Sequence, residues 1–377
     1  MGLSVPPNLN VQPYLAIPGF GALRRVTGDS TPPSAPGYRA AIVNYMAQED
    51  RAIKADFPGA RPLRRKPLNR SFALFHEGTT PRPVVVMLHG FSAGTEQWAP
   101  IAYELFAKGY DVFVPCLPGH GLLNLDGSEF TGAVPTGATW KWWDDFAERI
   151  YGLVKSAPNV SMVGLSFGGN LSLKAAERHR AELAADGQPI LRNVVAVSPF
   201  LAFTGTYDPQ SALDKQKGKK PTAVDSFVEA RKIPNERVAT ALEWAEGVAP
   251  ERVHAYLQSL QVDMRSVSNP PLDYGFKFAS QDAVLGMFKA AEETRANAAQ
   301  LDGLKLQIIA SQAGATADPS AMLKFGEDSG AEIYEFAKAD GVPHAMVHPL
   351  ENPTPSWNKV RDLILSRFDS VGPTASP

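Results

Sequence analysis

Val160-Ser161-Met162-Val163-Gly164-Leu165-Ser166-Phe167-Gly168-Gly169 is the stretch on which the fold turns. Val160–Val163 is a short, mostly apolar run, as a strand buried on both faces requires. Leu171–His179 reads as a helix that begins just after the glycine pair. Between them Gly164-Leu165-Ser166-Phe167-Gly168 forms a G-x-S-x-G pattern. The pattern alone is common by chance. Strand, tight turn and helix around it mark a serine presented as a nucleophile. The reason is steric: a serine on a strained turn tolerates only small close neighbours, and Gly164 and Gly168 leave that room. Gly169 lets the helix start close against the sheet. An ordinary glycine-rich turn carrying an incidental serine is the competing interpretation.

Outward from this stretch the same rhythm repeats. Upstream, Val84–Leu88 is wholly apolar and ends in His89-Gly90. A helix is predicted near Trp98–Lys108, then a strand at Val112–Val114 closed by Pro115. The loop Pro118-Gly119-His120-Gly121 follows, and Trp140–Lys155 reads as a helix. Downstream lies another strand, Asn193–Val197. Strands alternating with helices at this spacing predict an α/β fold with a doubly covered, mostly parallel sheet. From Phe200 to about Phe278 the strand pattern stops, and Ala223–Arg231, Glu236–Trp244 and Pro250–Leu260 read as helices of an inserted cap. The sheet pattern resumes with a helix at Gln281–Gln300, strands at Leu304–Ala310 and Ala331–Phe336, and a closing helix at Trp357–Phe368. At the other end, a helix over Tyr38–Ala55 and a strand over Ser71–Glu77 follow a proline-rich lead-in. The predicted division is a lead-in with a helix over residues 1–70, core over 71–199, helical cap over 200–280, core again over 281–370, and a tail over 371–377.

Composition excludes several classes. The 377 residues carry 37 basic and 39 acidic side chains, a net charge of −2, so nothing steers the chain toward nucleic acid or an anionic membrane surface. Cys116 is the single cysteine, which rules out an intrachain disulfide and a cysteine-based zinc site. No run approaches the ~18 apolar residues of a membrane span, and residues 1–30 lack the pattern of a signal peptide. The apolar patch Val11–Leu23 is broken by Pro13 and Pro18 and reads as a strap across the core. The expected address is cytoplasmic, with no cofactor, no metal and no integral membrane association; a homodimer stays open.

Acyl transfer needs pre-placed donors for the developing oxyanion. The backbone N–H of Phe167, at the helix N-terminus, is one candidate. The Phe91 backbone, in the loop after Val84–Leu88, is the other. Their side chains are candidate walls of an acyl pocket, whereas His89 reads as structural. Of seven histidines, His344 and His348 lie beyond the last predicted strand, and chain order of nucleophile, acid, then histidine favours these. His344, among small loop residues, is the preferred base. For the acid, the loop after Leu304–Ala310 holds one carboxylate, Asp318. Asp318-Pro319 also reads as a helix cap, and Asp208 is a further candidate. Asp340 lies too near His344 in sequence.

Together these pieces resemble the α/β-hydrolase superfamily, in particular bacterial carboxylesterases and monoacylglycerol-lipase-like or serine-aminopeptidase-like hydrolases. The likeness rests on Val84-Val85-Val86-Met87-Leu88-His89-Gly90-Phe91, Gly109-Tyr110-Asp111-Val112-Phe113-Val114-Pro115, Leu117-Pro118-Gly119-His120-Gly121, the Ser166 turn, and Val342-Pro343-His344. It implies an eight-stranded sheet, a triad of Ser166, an acid and His344, no cofactor, and a lid that shapes the acyl or alcohol site. Separately, an apolar pocket would favour small esters with apolar acyl or aryl groups over charged substrates. In relatives the acid usually sits four positions before Asp318, where this chain has Gly314. Amidase, peptidase and acyltransferase chemistry share the acyl-enzyme and compete with ester hydrolysis. A non-catalytic binder with an incomplete triad is the rival from outside enzymology.

Overall fold

The computed structural model describes residues 25–26, 37–56, 63–65, 69–76, 78–124, 141–202, 261–263, 278–314, 316–352 and 355–369. The expected strap, cap helices and tail, with His254, Asp208 and Trp140, lie outside the described residues. No helix among the described residues is long and apolar enough to cross a membrane.

The described strands are β1 (Arg25–Val26), β2 (Leu63–Arg65), β3 (Phe72–Leu74), β4 (Val84–Leu88), β5 (Asp111–Val114), β6 (Leu122–Asn124), β7 (Val160–Leu165), β8 (Leu191–Val197), β9 (Gln261–Asp263), β10 (Phe278–Ser280), β11 (Leu306–Ser311) and β12 (Glu332–Phe336). The helices are α1 (Tyr38–Asp56), α2 (Ala99–Ala107), α3 (Lys141–Val154), α4 (Phe167–His179), α5 (Gln281–Ala296), α6 (Pro319–Asp328) and α7 (Ser356–Asp369). Eight strands form one sheet in the order β1-β3-β5-β4-β7-β8-β11-β12. β1–β3 and β3–β5 are antiparallel, and every other pair in this sheet is parallel. The carboxyl ends of β4, β7, β8, β11 and β12 therefore share one edge, where open α/β sheets bind ligands.

The alternation of strand side chains decides which helices cover which face. Val84, Val86 and Leu88 of β4 join Val160 and Met162 of β7 in one apolar cluster with α1, α3, α4, α5 and α6. Val85 and Met87 join Val163 and Leu165 in a second cluster with α2 and α7. The sheet is thus buried on both sides, which is why its strands read as continuous apolar runs. α3 follows the same logic at helical period: Trp143, Phe146, Ala147, Ile150, Tyr151 and Val154 are buried at spacings of three and four.

A buried polar anchor fastens α1 to the sheet. Asp111, with no exposed surface, accepts hydrogen bonds from Arg39 Nε at 2.6 Å and Tyr38 Oη at 2.7 Å. The His76 backbone N–H also donates to it, at 3.1 Å. Burial alone raises a carboxyl pKa, but the hydrogen bonds from His76 and Tyr38 and the charge of Arg39 outweigh it and hold Asp111 below its ordinary value.

Two expectations are corrected. α4 starts at Phe167, four residues before Leu171, so Gly168 and Gly169 lie inside its first turn. The stretch from Phe200 to Phe278 was expected to hold no strand, yet β9 pairs antiparallel with β10. Three residues per strand are too few for an alternating pattern to register.

Candidate active site

The first helical position after β7 is Phe167, and the residue between strand and helix is Ser166. Its backbone has φ 54 and ψ −118, a region that non-glycine residues enter only when the surroundings enforce it. The enforcement is visible. Ser166 N–H donates to Val197 O at 2.9 Å, and Ser166 O accepts from Asn170 N at 3.0 Å and Phe200 N at 2.9 Å. The turn also needs two residues without side chains. A Cβ on Gly164 would lie 2.1 Å from Gly168 O, and one on Gly168 would lie 2.2 Å from Leu88 O. Both contacts are to backbone, which cannot rotate away. Gly164→Ala is therefore expected to lower stability by about 1–3 kcal/mol or more, measured as a shift in the urea midpoint at unchanged slope. The Ser166 hydroxyl has no hydrogen-bond partner among the described residues, so its oxygen is not committed to holding the turn.

The loop after β4 passes beside this serine. A Cβ on Gly90 would sit 3.5 Å from Ser166 Cβ. The loop turns through Ala93 N–H to Gly90 O at 3.1 Å, with Ser92 at φ 62. Two buried histidines clamp it. His89 Nδ1 donates to Gly90 O at 2.9 Å while its Nε2 accepts from Leu117 N–H at 2.9 Å. His120 Nδ1 donates to Pro118 O at 3.0 Å while its Nε2 accepts Ser92 N–H at 3.3 Å. One nitrogen donates and the other accepts in each, which fixes both as neutral Nδ1–H tautomers. His89 is structural, as the sequence indicated. The Phe91 ring packs edge-on against His120, Trp143 and Phe167, with centroids 5.3, 6.2 and 6.0 Å away. Phe167 is wholly buried in this aromatic cluster, so its ring packs core and only its amide faces the turn. As the first residue of α4 that amide has no acceptor within its own helix.

The third element is the loop after β12, which carries His344 and His348. Ser311 Oγ, at the end of β11, donates to Val342 O at 2.6 Å and ties the loop to the carboxyl edge. A Cβ on Gly314 would lie 3.7 Å from both Cα and Cβ of His344. Gly314 is thus the immediate neighbour of the histidine. Both ring nitrogens of His344 are buried and have no hydrogen-bond partner among the described residues. His348 Nδ1 accepts Leu350 N–H at 3.1 Å, so this ring is already in use. Burial pushes His344 and His348 from 6.5 down to about 4. The sign of the resulting pH dependence is fixed. The unfolded chain binds protons that the folded loop refuses, so stability is full above pH 6.5 and falls as pH drops toward 4. A lower thermal midpoint at about pH 5 than at about pH 7, with part of the difference removed in His348→Gln, is the expected result.

Asp318 takes up the capping role that its sequence also allowed. It is the N-cap of α6: its Oδ1 accepts from Ser320 N at 2.9 Å and from Ser320 Oγ at 2.7 Å. Pro319 occupies the first helical position. The structure brings Ser166, the Phe91 loop and the Phe167 amide together, sets Gly314 against His344, and makes no hydrogen bond between Asp318 and His344. Asp318→Ala is expected to lower stability by about 1 kcal/mol through loss of the cap, while ester turnover stays within threefold. A loss of a thousandfold or more would make Asp318 the acid after all.

Comparison with known proteins follows the same lines. The model of the Alpha/beta hydrolase family matches residues 85–358, and the chain belongs to that family. A stretch of 97 residues is 36% identical to a thermostable monoacylglycerol lipase of Bacillus sp. (strain H-257), covering 25% of this chain and 35% of that protein. Another of 104 residues is 34% identical to a pimeloyl-[acyl-carrier protein] methyl ester esterase of Aromatoleum aromaticum (strain DSM 19018 / LMG 30748 / EbN1), covering 27% and 35%. The chain thus spans about a third of the length of these curated relatives. A monoglyceride lipase structure from Saccharomyces cerevisiae, a soluble variant, matches with a TM-score of 0.51 at 14% identity over 83% of this chain and 98% of that one. That likeness is one of fold. The family and the fold are consistent with serine-hydrolase ester chemistry.

Proposed function

We propose that the chain hydrolyses carboxylic esters with apolar acyl or aryl groups through an acyl-enzyme on Ser166. The observation that carries this is the hydroxyl of Ser166, uncommitted among the described residues and held on a strained backbone at the head of α4 beside the Gly90–Phe91 loop. Strain of this kind persists only where the surrounding structure over-determines it, and it accumulates at functional sites. Two relatives in the comparison are a monoacylglycerol lipase and a methyl ester esterase, and ester cleavage is the activity their names share.

In this mechanism His344 accepts the proton of Ser166 as its oxygen attacks the ester carbonyl. The tetrahedral anion is received by the amides of Phe91 and Phe167. His344 then protonates the leaving alcohol, and water repeats the cycle on the acyl-enzyme. The buried imidazole, held near 4, is neutral at pH 7 and so able to take a proton. Its nitrogens meet no partner among the described residues, and catalytic hydrogen bonds often tighten only once substrate is bound.

The test is covalent labelling by a fluorophosphonate probe together with hydrolysis of p-nitrophenyl acetate, butyrate and octanoate. Labelling at Ser166 with turnover supports the proposal, and the chain-length profile then maps the pocket. The second reading, a ligand binder with incomplete machinery, is favoured by the unpartnered His344 ring. It expects neither label nor turnover.

A further inference from the structure

Beside Gly90, where a Cβ would lie 3.5 Å from Ser166 Cβ and 3.7 Å from Gln97 Oε1, is a buried polar bridge that takes no part in the acyl transfer itself. Gln97, in the short 3-10 helix Thr95–Trp98, is 2% exposed, and Glu351 is 7% exposed. Gly90 N–H donates to Gln97 Oε1 at 3.1 Å. Gln97 Nε2 donates to Glu351 Oε2, also at 3.1 Å, across 254 residues of sequence. Glu351 closes the loop that carries both histidines: its N–H donates to His348 O at 3.0 Å. The neighbouring Asn352 donates from its backbone to His348 O at 2.9 Å and from Nδ2 to Met346 O at 3.1 Å. One amide side chain therefore spans two loops that topology brings to the same sheet edge.

We propose that Gln97 and Glu351 are positioning residues that set the Gly90–Phe91 oxyanion loop against the His344 loop. The proposal rests on the ester-hydrolase assignment of Ser166. The chemistry of the pair makes the polarity of each member explicit. Position 97 must accept from Gly90 and donate to position 351, and a side-chain amide does both. Position 351 must accept, and a carboxylate makes the stronger, charge-assisted bond. Donor alignment matters because an oxyanion hole works through dipoles that are fixed before the reaction begins. A donor that wanders by about 1 Å loses on the order of a hundredfold in rate without a change in what binds.

The two residues can be exchanged in role. In Gln97→Glu, two carboxylates face each other in a buried site and one must hold a proton or the pair must part. In Glu351→Gln, Gln97 still finds an acceptor, but a neutral one. In the double variant Gln97→Glu/Glu351→Gln, the new carboxylate accepts from both Gly90 and the new amide, and the bridge is rebuilt with its direction reversed.

The experiment measures kcat and KM on p-nitrophenyl butyrate, and the thermal midpoint by circular dichroism, for all three variants. The expected result is a kcat loss of about a hundredfold in Gln97→Glu with KM within twofold. Glu351→Gln is expected to lose about threefold to tenfold, in line with a neutral bond being weaker than a charge-assisted one. The double variant is expected to return to within about threefold of the parent, the non-additivity expected of two residues in contact. Losses that multiply in the double variant, or a KM change that accounts for them, would overturn the proposal. If Gln97→Glu does not fold, a folded and active double variant still supports the bridge, and an unfolded one overturns it. Parent protein without turnover and without a fluorophosphonate label at Ser166 would remove the ester-hydrolase assignment first, and the bridge with it.

Discussion

Ser166→Ala is expected to reduce kcat on p-nitrophenyl butyrate by about 10,000-fold or more, with KM within a few-fold, and to abolish fluorophosphonate labelling. The size follows from what one oxygen does. In the proposed mechanism attack then falls to water, and the Phe91 and Phe167 amides proposed for the oxyanion would stabilise only a reaction that no longer has a positioned nucleophile. The substitution leaves the fold intact, because the turn is held by backbone bonds from Ser166 N to Val197 O and from Asn170 N and Phe200 N to Ser166 O. The hydroxyl takes no part in them. A companion variant separates chemistry from strain. Ser166→Gly removes the same oxygen and also relieves φ 54, so it should be equally inactive yet more stable than the parent by about 1 kcal/mol. Equal turnover in parent and Ser166→Ala would place the chemistry elsewhere or nowhere.

The second large effect runs in the opposite direction. Gly314→Asp is expected to raise kcat about tenfold to a hundredfold, a fraction of the roughly 10,000-fold that loss of the acid removes from the serine-protease triad. The geometry permits it. Gly314 is not at a positive φ, so an L residue fits its backbone. A Cβ there lies 3.7 Å from His344 Cβ and 3.3 Å from Ser311 O. The first distance places a carboxylate beside the imidazole, and the second asks the neighbour to give by a few tenths of an ångström. The new carboxylate would fix the tautomer of His344 and stabilise the imidazolium that forms as Ser166 loses its proton.

A pH profile distinguishes this from a general improvement in packing. In the parent, burial holds His344 near 4, so the base stays neutral and activity is lost only as pH falls through that value. A facing carboxylate favours the charged ring and raises its pKa. The acid limb of kcat/KM should therefore move to higher pH in Gly314→Asp. Gly314→Asn, of the same shape without the charge, should leave the limb in place. An unchanged limb with unchanged kcat in the aspartate variant would mean that His344 does not serve as the base.

Much of this architecture is written in local pattern. Val84–Leu88 and Val160–Leu165 are apolar on both faces because helices cover both sides of the sheet, and that is legible one residue at a time. The Ser166 turn is legible for the same reason: steric crowding permits so few residues that Gly164 and Gly168 follow from it. The start of α4 was harder. A glycine pair usually interrupts a helix, but here close approach to Leu88 O keeps Gly168 inside the first turn. Asp318 carried two meanings in sequence, and only the position of Ser320 N favours the cap. Gly314 announced a departure without its consequence, since an unpartnered imidazole is a property of space and not of spacing. Gln97 and Glu351 gave no signal at all, because no motif links side chains 254 residues apart.

That separation also orders events in time. The Ser166 turn is held within β7, α4 and the strand that follows, and its bonds to Val197 and Phe200 close loops of a few dozen residues. The bridge joins Gln97 to Glu351 across 254 residues, and a chain must spend more entropy to close longer loops. Synthesis runs from the amino end, so the residues of the strained turn are made well before Glu351. A nascent chain that has emerged only as far as β8 holds the residues of the turn without those of the bridge.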